Sequence, residues 1–322
     1  MSRAAATRHW AEMGESTFVA GMWLLYQVHR CLGRWPFLAC LYPVVLYYWA
    51  TRKTARQASL QYLQRLQACH GSLGRPPGWR ENVRHFMVFA QVILDKTLAM
   101  TGRYRTDRVH FAGRQPLIER IQSGQGAVVA TAHMGCIELC QCIAQQRQGL
   151  KLNILVHTQH AQRYNRLMAR LAPDSGVQLL QVSEFDAGMA MVLANKVAQG
   201  EFIAIAGDRV PVQESKTVST SFLGHSAQFP VGPYVIAALL KCPLYFMGCV
   251  HDGDGYAVEF VPLAQQVQLP RTQRQQALER HASAFALQLE RMLQRAPYDW
   301  FNFFPFWDQG VRQPVQPPTS DA

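Results

Sequence analysis

A histidine and a glutamate separated by four residues form the first pair in this sequence whose types and spacing suggest chemistry. His133 follows the apolar run GQGAVVATA, and Glu138 comes five positions later, in ATAHMGCIELC. A histidine held by a carboxylate is a general base, because the carboxylate fixes the imidazole tautomer and stabilises the imidazolium that forms when the ring takes a proton. The alternative is that Glu138 only complements the N-terminus of a helix and that His133 is an ordinary loop residue.

The two side chains can meet only if a strand ends and a helix begins between them. On one continuous helix, a step of five residues turns the second side chain about 140° away from the first. With His133 at the end of a buried strand and Gly135 in a tight turn, both side chains would converge at the carboxyl edge of a sheet. Open α/β sheets bind ligands at that edge, so we predict a site there.

The rest of the chain predicts a mixed, largely parallel sheet flanked by helices. Helical spacing covers residues 54–101, with a break at the Gly- and Pro-rich segment 71–78. Short apolar runs then alternate with helical segments, as in an α/β domain. Strands are expected at 109–113, 124–133, 152–158, 177–182, 201–208, 243–250 and 256–262, and helices at 115–122, 137–148, 161–171, 185–199, 233–240 and 272–295. We expect the domain to cover 57–310, with 57–107 as its helical lead-in and a mobile tail at 311–322.

The first 56 residues are predicted to be a helical, membrane-associating segment. Apolar stretches lie at 17–26 and 36–50, and the second has 15 residues without a charge, fewer than the roughly 20 that span a bilayer. The tryptophans and tyrosines of residues 23–49, followed by Arg52, Lys53 and Arg56, are typical of a segment lying in an anionic membrane interface. A helical hairpin, a tilted insertion and a pair of core helices are the alternatives. We see no cleavable signal sequence.

Composition excludes a disordered chain and points to an anionic partner. The 322 residues are 49% hydrophobic and only 16% charged, with a net charge of +11. Nucleic acid, an anionic membrane surface and a phosphorylated substrate all fit this charge. Because no RNP-like, zinc-binding or helix-turn-helix pattern occurs, we expect no nucleic-acid partner. The eight cysteines form no CxxC pair and show no His-rich metal spacing, which predicts reduced, mostly buried thiols of a cytosol-facing protein and no metal site.

Four ordered blocks resemble the lysophospholipid acyltransferase superfamily. The segment 130–140 resembles its HxxxxD/E box, and the final glutamate is similar to the variant found in lipid A late acyltransferases. FIAIAGDRVP (202–211), FLGHSAQFPVGP (222–233) and RAPYDWFNFFPFW (295–307) resemble later blocks in the same order. The last of these, and the N-terminal WAEMGES…GRWPFLACLYPVVLYY, resemble a subgroup of predicted acyltransferases. The resemblance implies a glycerol-3-phosphate acyltransferase-like α/β fold.

The resemblance also implies an activity. A fatty acyl chain would pass from a thioester carrier, acyl carrier protein or coenzyme A, to a hydroxyl or amine of a lipid or lipid-A-like acceptor, without a further cofactor. His133 would take the acceptor's proton, and Glu138 would orient His133. The tetrahedral oxyanion needs donors, and the candidates are the backbone N–H groups of 134–136 and the side chain of Arg209. Asp208 and Arg209 follow a buried strand and should reach the same edge, unless they form a surface salt-bridging turn.

Further substrate contacts are expected around this site. We expect Gly135 and Cys136 to contact substrate, although Cys136 stands where relatives commonly have asparagine. Cys136 is also a candidate thiol nucleophile if its surroundings are open and electropositive. Arg163 and Arg166 belong to a basic run that either binds an anion (acceptor phosphate, phosphopantetheine or an acidic carrier surface) or forms a solvated helix face.

These features together predict an enzyme on the cytoplasmic face of a bacterial inner membrane. Its expected partners are the acyl carrier, the membrane lipid acceptor and the anionic membrane surface. Two rival functions remain open at this point: a hydrolase that releases the acyl group to water, and a non-catalytic binder of anionic membrane surfaces.

Overall fold

The computed structural model describes residues 26–140, 151–156, 177–181, 186–210 and 216–310. The predicted helix at 161–171 and the tail at 311–322 lie outside these ranges. So do nearly all of the first apolar stretch and most of the helix predicted at 137–148.

A seven-stranded sheet carries the fold, as predicted. The strands are β1 (Val109–Ala112), β2 (Val128–Thr131), β3 (Leu152–Val156), β4 (Val177–Gln181), β5 (Phe202–Ala206), β6 (Thr217–Phe222), β7 (His225–Pro230), β8 (Leu244–Asp252) and β9 (Gly255–Ala264). The sheet order is β1-β9-β8-β2-β5-β3-β4, and β6 and β7 form a separate hairpin. All neighbours in the large sheet are parallel except β8 and β9. The prediction of a mixed, largely parallel sheet is confirmed.

Helices flank both faces of this sheet. They are α1 (Arg34–Thr51), α2 (Lys53–His70), α3 (Trp79–Met100), α4 (Gln115–Gln122), α5 (Ala187–Ala198), α6 (Gly232–Leu240) and α7 (Arg274–Arg295). The central strand β2 is buried along its whole length, as its continuous apolar sequence favours for a strand covered on both faces. Val129 shares one core with residues of α3 and α4, and Val128 shares the other with residues of α2, α5, α6 and α7.

The hairpin of β6 and β7 was not predicted. Its strands, TVSTSF and HSAQFP, are short and rich in polar residues, so the sequence reads as a turn-rich connection. Leu223 and Gly224 form its two-residue turn with φ of 50° and 75°, the left-handed pair that a type I′ turn requires. Its aromatic residues Phe222 and Phe229 are fully buried and contact Trp300 and Phe285.

The described part of the N-terminal segment is a helix with one packed face and one exposed face. Phe37 and Leu41 of α1 lie in a small core with Phe86 of α3. On the other face, Trp35 is 83% exposed and Tyr47 is 66% exposed. Within the ranges given above, no helix combines the length and apolarity needed to cross a bilayer.

Candidate active site

His133 and Asp208 stand side by side at the carboxyl edge of the sheet. They follow the adjacent parallel strands β2 and β5, whose register pairs Thr131 with Ala206. His133 and Asp208 therefore occupy equivalent positions, each two residues further on. The Nδ1 atom of His133 lies 2.8 Å from one Asp208 oxygen, and the His133 backbone N–H donates to the other oxygen at 2.9 Å.

A tryptophan completes the surroundings of the Asp208 carboxylate. The indole Nε1–H of Trp300 donates to Oδ2 of Asp208 at 2.9 Å, and both side chains are buried. Burial alone would raise the pKa of Asp208, but the charge and hydrogen bonds of His133, together with Arg209, hold it at about 2. The carboxylate is therefore ionised at neutral pH and accepts a hydrogen bond from Nδ1–H of His133.

This arrangement leaves His133 as a neutral base. With Nδ1–H committed to Asp208, the other ring nitrogen, Nε2, is an acceptor in the neutral ring. Loss of hydration lowers the pKa of His133 below its ordinary value. The charges of Arg209 and Lys96 lower this pKa further, whereas the charge and hydrogen bond of Asp208 raise it. The His133 side chain is nonetheless 39% exposed, so a substrate can reach it.

The predicted orientation of His133 by Glu138 stays a prediction; the structure places Asp208 at Nδ1 of His133 and Lys96 at Glu138. Oε1 of Glu138 lies 3.0 Å from Nζ of Lys96 on α3, and among the described residues Glu138 has no hydrogen bond to His133. Glu138 sits in a turn closed by the bond from Leu139 N–H to the Cys136 carbonyl. The sheet presents a nearer carboxylate to the histidine from the adjacent strand, and α3 supplies a cation to Glu138.

The backbone donors predicted at 134–136 are mostly occupied. Met134 N–H donates to the Ala132 carbonyl at 2.8 Å, and Gly135 N–H donates to the Asp299 carbonyl at 2.9 Å. Cys136 N–H has no acceptor among the described residues, in contrast to Met134 N–H and Gly135 N–H.

Gly135 and Cys136 serve the packing of this loop. Gly135 has φ of +48°, and a Cβ there would lie 2.1 Å from the carbonyl oxygen of Cys249, so no side chain fits. Cys136 is fully buried, and burial raises the pKa of its thiol well above the ordinary value. A reactive thiolate needs an open, electropositive setting, so the geometry opposes a nucleophilic Cys136. Arg163 and Arg166 lie outside the described residues.

The C-terminal aromatic segment (295–307) forms hydrogen bonds with the residues of the site. Phe301 N–H donates to the His133 carbonyl at 3.0 Å, and Trp300 forms an isolated antiparallel bridge with Met134. The Arg209 guanidinium donates to the Phe301 carbonyl at 3.2 Å and lies over the Phe304 ring. Trp300, Phe301 and Phe306 of this segment are buried. The bond from Trp300 to Asp208 was missed because no spacing rule connects the two residues.

A second histidine–aspartate pair lies at the end of β8. Nδ1 of His251 is 2.7 Å from one oxygen of Asp299, and the His251 backbone N–H donates to the other oxygen. Sequence reasoning missed this pair. The available signal was that His251, like His133, follows a buried apolar strand.

Metal-ligating geometry occurs elsewhere in the described residues. Cys69, His70 and Glu290, at the ends of α2 and α7, bring three potential ligand atoms within 4.8 Å of one another. None of these residues belongs to the site around His133.

Comparisons with known proteins identify acyltransferases. A family profile described as bacterial lipid A biosynthesis acyltransferase matches residues 82–309, which include His133, Asp208 and Trp300. Phosphatidylinositol mannoside acyltransferase from Mycolicibacterium smegmatis is 23% identical over 187 residues, and the match covers 58% of each chain. The resemblance predicted from the motifs is confirmed. Because the profile covers more than half of the sequence, the chain belongs to the bacterial lipid A biosynthesis acyltransferase family.

Proposed function

We propose that the protein transfers a fatty acyl chain from a thioester carrier to a hydroxyl or amine of a lipid acceptor, with His133 as the general base. One observation carries the proposal. Asp208, buried and ionised, binds both Nδ1 and the backbone N–H of His133, and so leaves Nε2 as a proton acceptor on a partly exposed ring. Family membership supports the reaction class.

In the proposed reaction, Nε2 of His133 takes the proton of the acceptor hydroxyl as its oxygen attacks the thioester carbonyl. The imidazolium that forms is stabilised by Asp208, which stays ionised. The tetrahedral intermediate then collapses, the carbon–sulfur bond breaks, and the proton on His133 passes to the leaving thiolate. No acyl-enzyme is required, since the thioester is already activated. A positioned base of this kind contributes about 10²- to 10⁴-fold to the rate.

Two groups are proposed to stabilise the oxyanion. Cys136 N–H lies in the loop that follows His133, and the Arg209 guanidinium is held beside the same loop by the Phe301 carbonyl. Donors fixed before the reaction stabilise developing charge without reorganisation. Glu138 is proposed as a positioning residue, because its ion pair with Lys96 ties the loop to α3.

The proposed acceptor is a membrane lipid and the proposed donor is acyl carrier protein or coenzyme A thioester. The relative's name indicates a phosphatidylinositol mannoside acceptor for that protein, and a glycolipid or phospholipid acceptor is the corresponding class here. The net charge of +11 and the exposed aromatic face of α1 support action at an anionic membrane surface, and we propose the cytoplasmic face of a bacterial inner membrane.

The test is turnover by the purified protein with acyl carrier protein and coenzyme A thioesters and a total lipid extract, read by mass spectrometry. His133→Ala and Asp208→Asn should each lower acyl transfer by about 10²- to 10⁴-fold, the second because an amide at position 208 donates to Nδ1 and moves the ring proton to Nε2. His110→Ala and Asp252→Asn, at exposed positions, are the matched controls.

Two results would overturn the proposal. One is full turnover by folded His133→Ala. The other is release of free fatty acid at the same rate with and without the lipid acceptor, which would identify a hydrolase.

A further inference from the structure

The proposed function assigns no role to the pair His251 and Asp299, which repeats the geometry of His133 and Asp208. Asp299 binds both Nδ1 and the backbone N–H of His251, as Asp208 does for His133. The Nδ1–oxygen distances are 2.7 and 2.8 Å. Asp299 is buried, and the His251 side chain is 35% exposed.

Asp299 connects this second pair to the active-site loop. Its backbone carbonyl accepts the hydrogen bond from Gly135 N–H at 2.9 Å, while its carboxylate holds the end of β8 at His251. Gly135 already lies against the backbone of Cys249, where a Cβ would clash. Asp299 therefore fastens the loop after His133 to the strand on which that loop rests.

The two residues that follow Asp299 act on the first pair directly. Trp300 donates to the Asp208 carboxylate, and Phe301 N–H donates to the His133 carbonyl. A shift of Asp299 is therefore transmitted along consecutive peptide units to both members of the catalytic pair. Misplacing a reacting group by about 1 Å lowers a rate by about 10²-fold.

The surroundings of His251 favour its charged form. Burial lowers the pKa of His251, but the hydrogen bond and charge of Asp299 and the charge of Asp95 outweigh burial and raise it, with Arg34 opposing them. The ring of Tyr256 lies against the imidazole at 4.3 Å between centroids, and its hydroxyl donates to Asp95. As pH rises through the raised pKa, His251 loses its charge and the pair loses its ionic attraction.

We propose that His251 and Asp299 form a positioning pair, which holds the Gly135–Cys136 loop, and through it His133, in the geometry needed for acyl transfer. This inference rests on the proposed function of His133. It assigns no contact with substrate to either residue.

The test compares three variants of the full chain in the same acyl-transfer assay. His251→Ala should lower kcat about tenfold or more with little change in KM for the thioester. His251→Asn retains a donor near the Nδ1 position and should recover most of the rate at neutral pH. It cannot become charged, so the part of the alkaline fall in kcat that titration of His251 causes should disappear. Asp299→Asn should resemble His251→Ala, and His110→Ala is the control for losing an exposed imidazole.

The outcomes separate this inference from the proposed function. If His251→Ala and His251→Asn lower the melting temperature equally and leave kcat and its pH profile unchanged, the pair is purely structural and the inference fails. If His133→Ala is also fully active, the proposed function fails as well. Loss of kcat in His251→Ala at an unchanged melting temperature, with recovery in His251→Asn, supports the inference.

Discussion

His85, His133 and His251 differ in charge and role according to their hydrogen-bond partners. Asp208 and Asp299 each give a histidine a carboxylate, whereas His85 receives none. His85 is fully buried, with Nε2 2.9 Å from the Trp300 carbonyl and Nδ1 2.8 Å from the Ser59 hydroxyl. The carbonyl can only accept, so Nε2 carries the proton and Nδ1 accepts the hydroxyl hydrogen of Ser59. His85 is therefore a neutral support beneath Trp300.

This neutrality predicts acid sensitivity. Burial lowers the pKa of His85 to about 4, against 6.5 in the absence of the fold. Between pH 4 and 6.5, His85 therefore binds a proton in the unfolded chain but stays neutral in the folded chain. His85 makes its full contribution to stability above pH 6.5 and loses it as pH falls toward 4, by about 3 kcal/mol in the free energy of unfolding.

Chemical unfolding of the wild type and of His85→Gln between pH 7 and 4 measures this effect. The stability of His85→Gln should fall less steeply over that interval, while His110→Gln should follow the wild type. Equal slopes for the wild type and His85→Gln would contradict the assignment of a neutral buried ring.

At the residue scale, the sequence predicted that His133 and the acidic residue Asp208 lie at one sheet edge, but it did not predict the hydrogen bond between them. Glu138 is five positions away along the chain, and Asp208 is 75 positions away. The two residues are nonetheless neighbours in space, because each lies two residues beyond a pair of aligned positions, Thr131 and Ala206, on adjacent parallel strands. Trp300 was not predictable as a partner of Asp208, since it lies in an irregular segment without periodicity.

At the scale of elements, the C-terminal aromatic segment depends on the β6–β7 hairpin. Phe222 is fully buried and contacts Trp300, Phe306 and Trp307, with ring centroids 5.2 to 5.8 Å apart. Phe222→Ala should lower the free energy of unfolding by about 3 to 5 kcal/mol, the usual effect of removing a buried phenylalanine. Leu287→Ala, at an exposed position on α7, is the control.

Urea unfolding measures the change in the free energy of unfolding. The rate of acyl transfer, measured well below the unfolding midpoint, tests whether the substitution also disturbs the site. We expect the rate to fall as well, because Phe222 supports the indole that holds Asp208. Stability within 1 kcal/mol of wild type would contradict the packing role.

Most helices and sheet strands were predictable because their apolar runs and periodicities are long or strongly patterned. The helix at 272–295 was observed as Arg274–Arg295, and the strand at 201–208 as Phe202–Ala206. The hairpin was missed for a physical reason. Its strands form a separate two-stranded sheet and are rich in polar residues, so they lack the continuous apolar character of strands that helices cover on both faces.

At the scale of the whole molecule, the exposed aromatic residues of α1 mark a candidate surface for binding an anionic membrane. Trp35 and Tyr47 project from α1 on the face opposite its packing against α3. Transfer of a large apolar side chain from water into the lipid is favourable by about 1.5 to 3 kcal/mol. We therefore expect Trp35→Ser and Tyr47→Ser each to weaken binding to phosphatidylglycerol vesicles about tenfold or more, and added salt to weaken it further.

Vesicle co-sedimentation measures this binding, with Leu287→Ser as a matched loss of exposed apolar surface on another helix. Equal binding by all three variants would show that the aromatic face of α1 does not meet the lipid.

The support that Trp300 gives to Asp208 joins residues 92 positions apart, and it has a consequence for the chain as it is made. Synthesis proceeds from the N-terminus, and early portions begin to fold before later ones emerge. A nascent chain that has already formed β2 and β5 contains the proton acceptor and its carboxylate, yet lacks the indole and the peptide group that immobilise them. Under the proposed function, competence to acylate is expected only once residues 299–301 dock, so chains that end before residue 299 should be inactive.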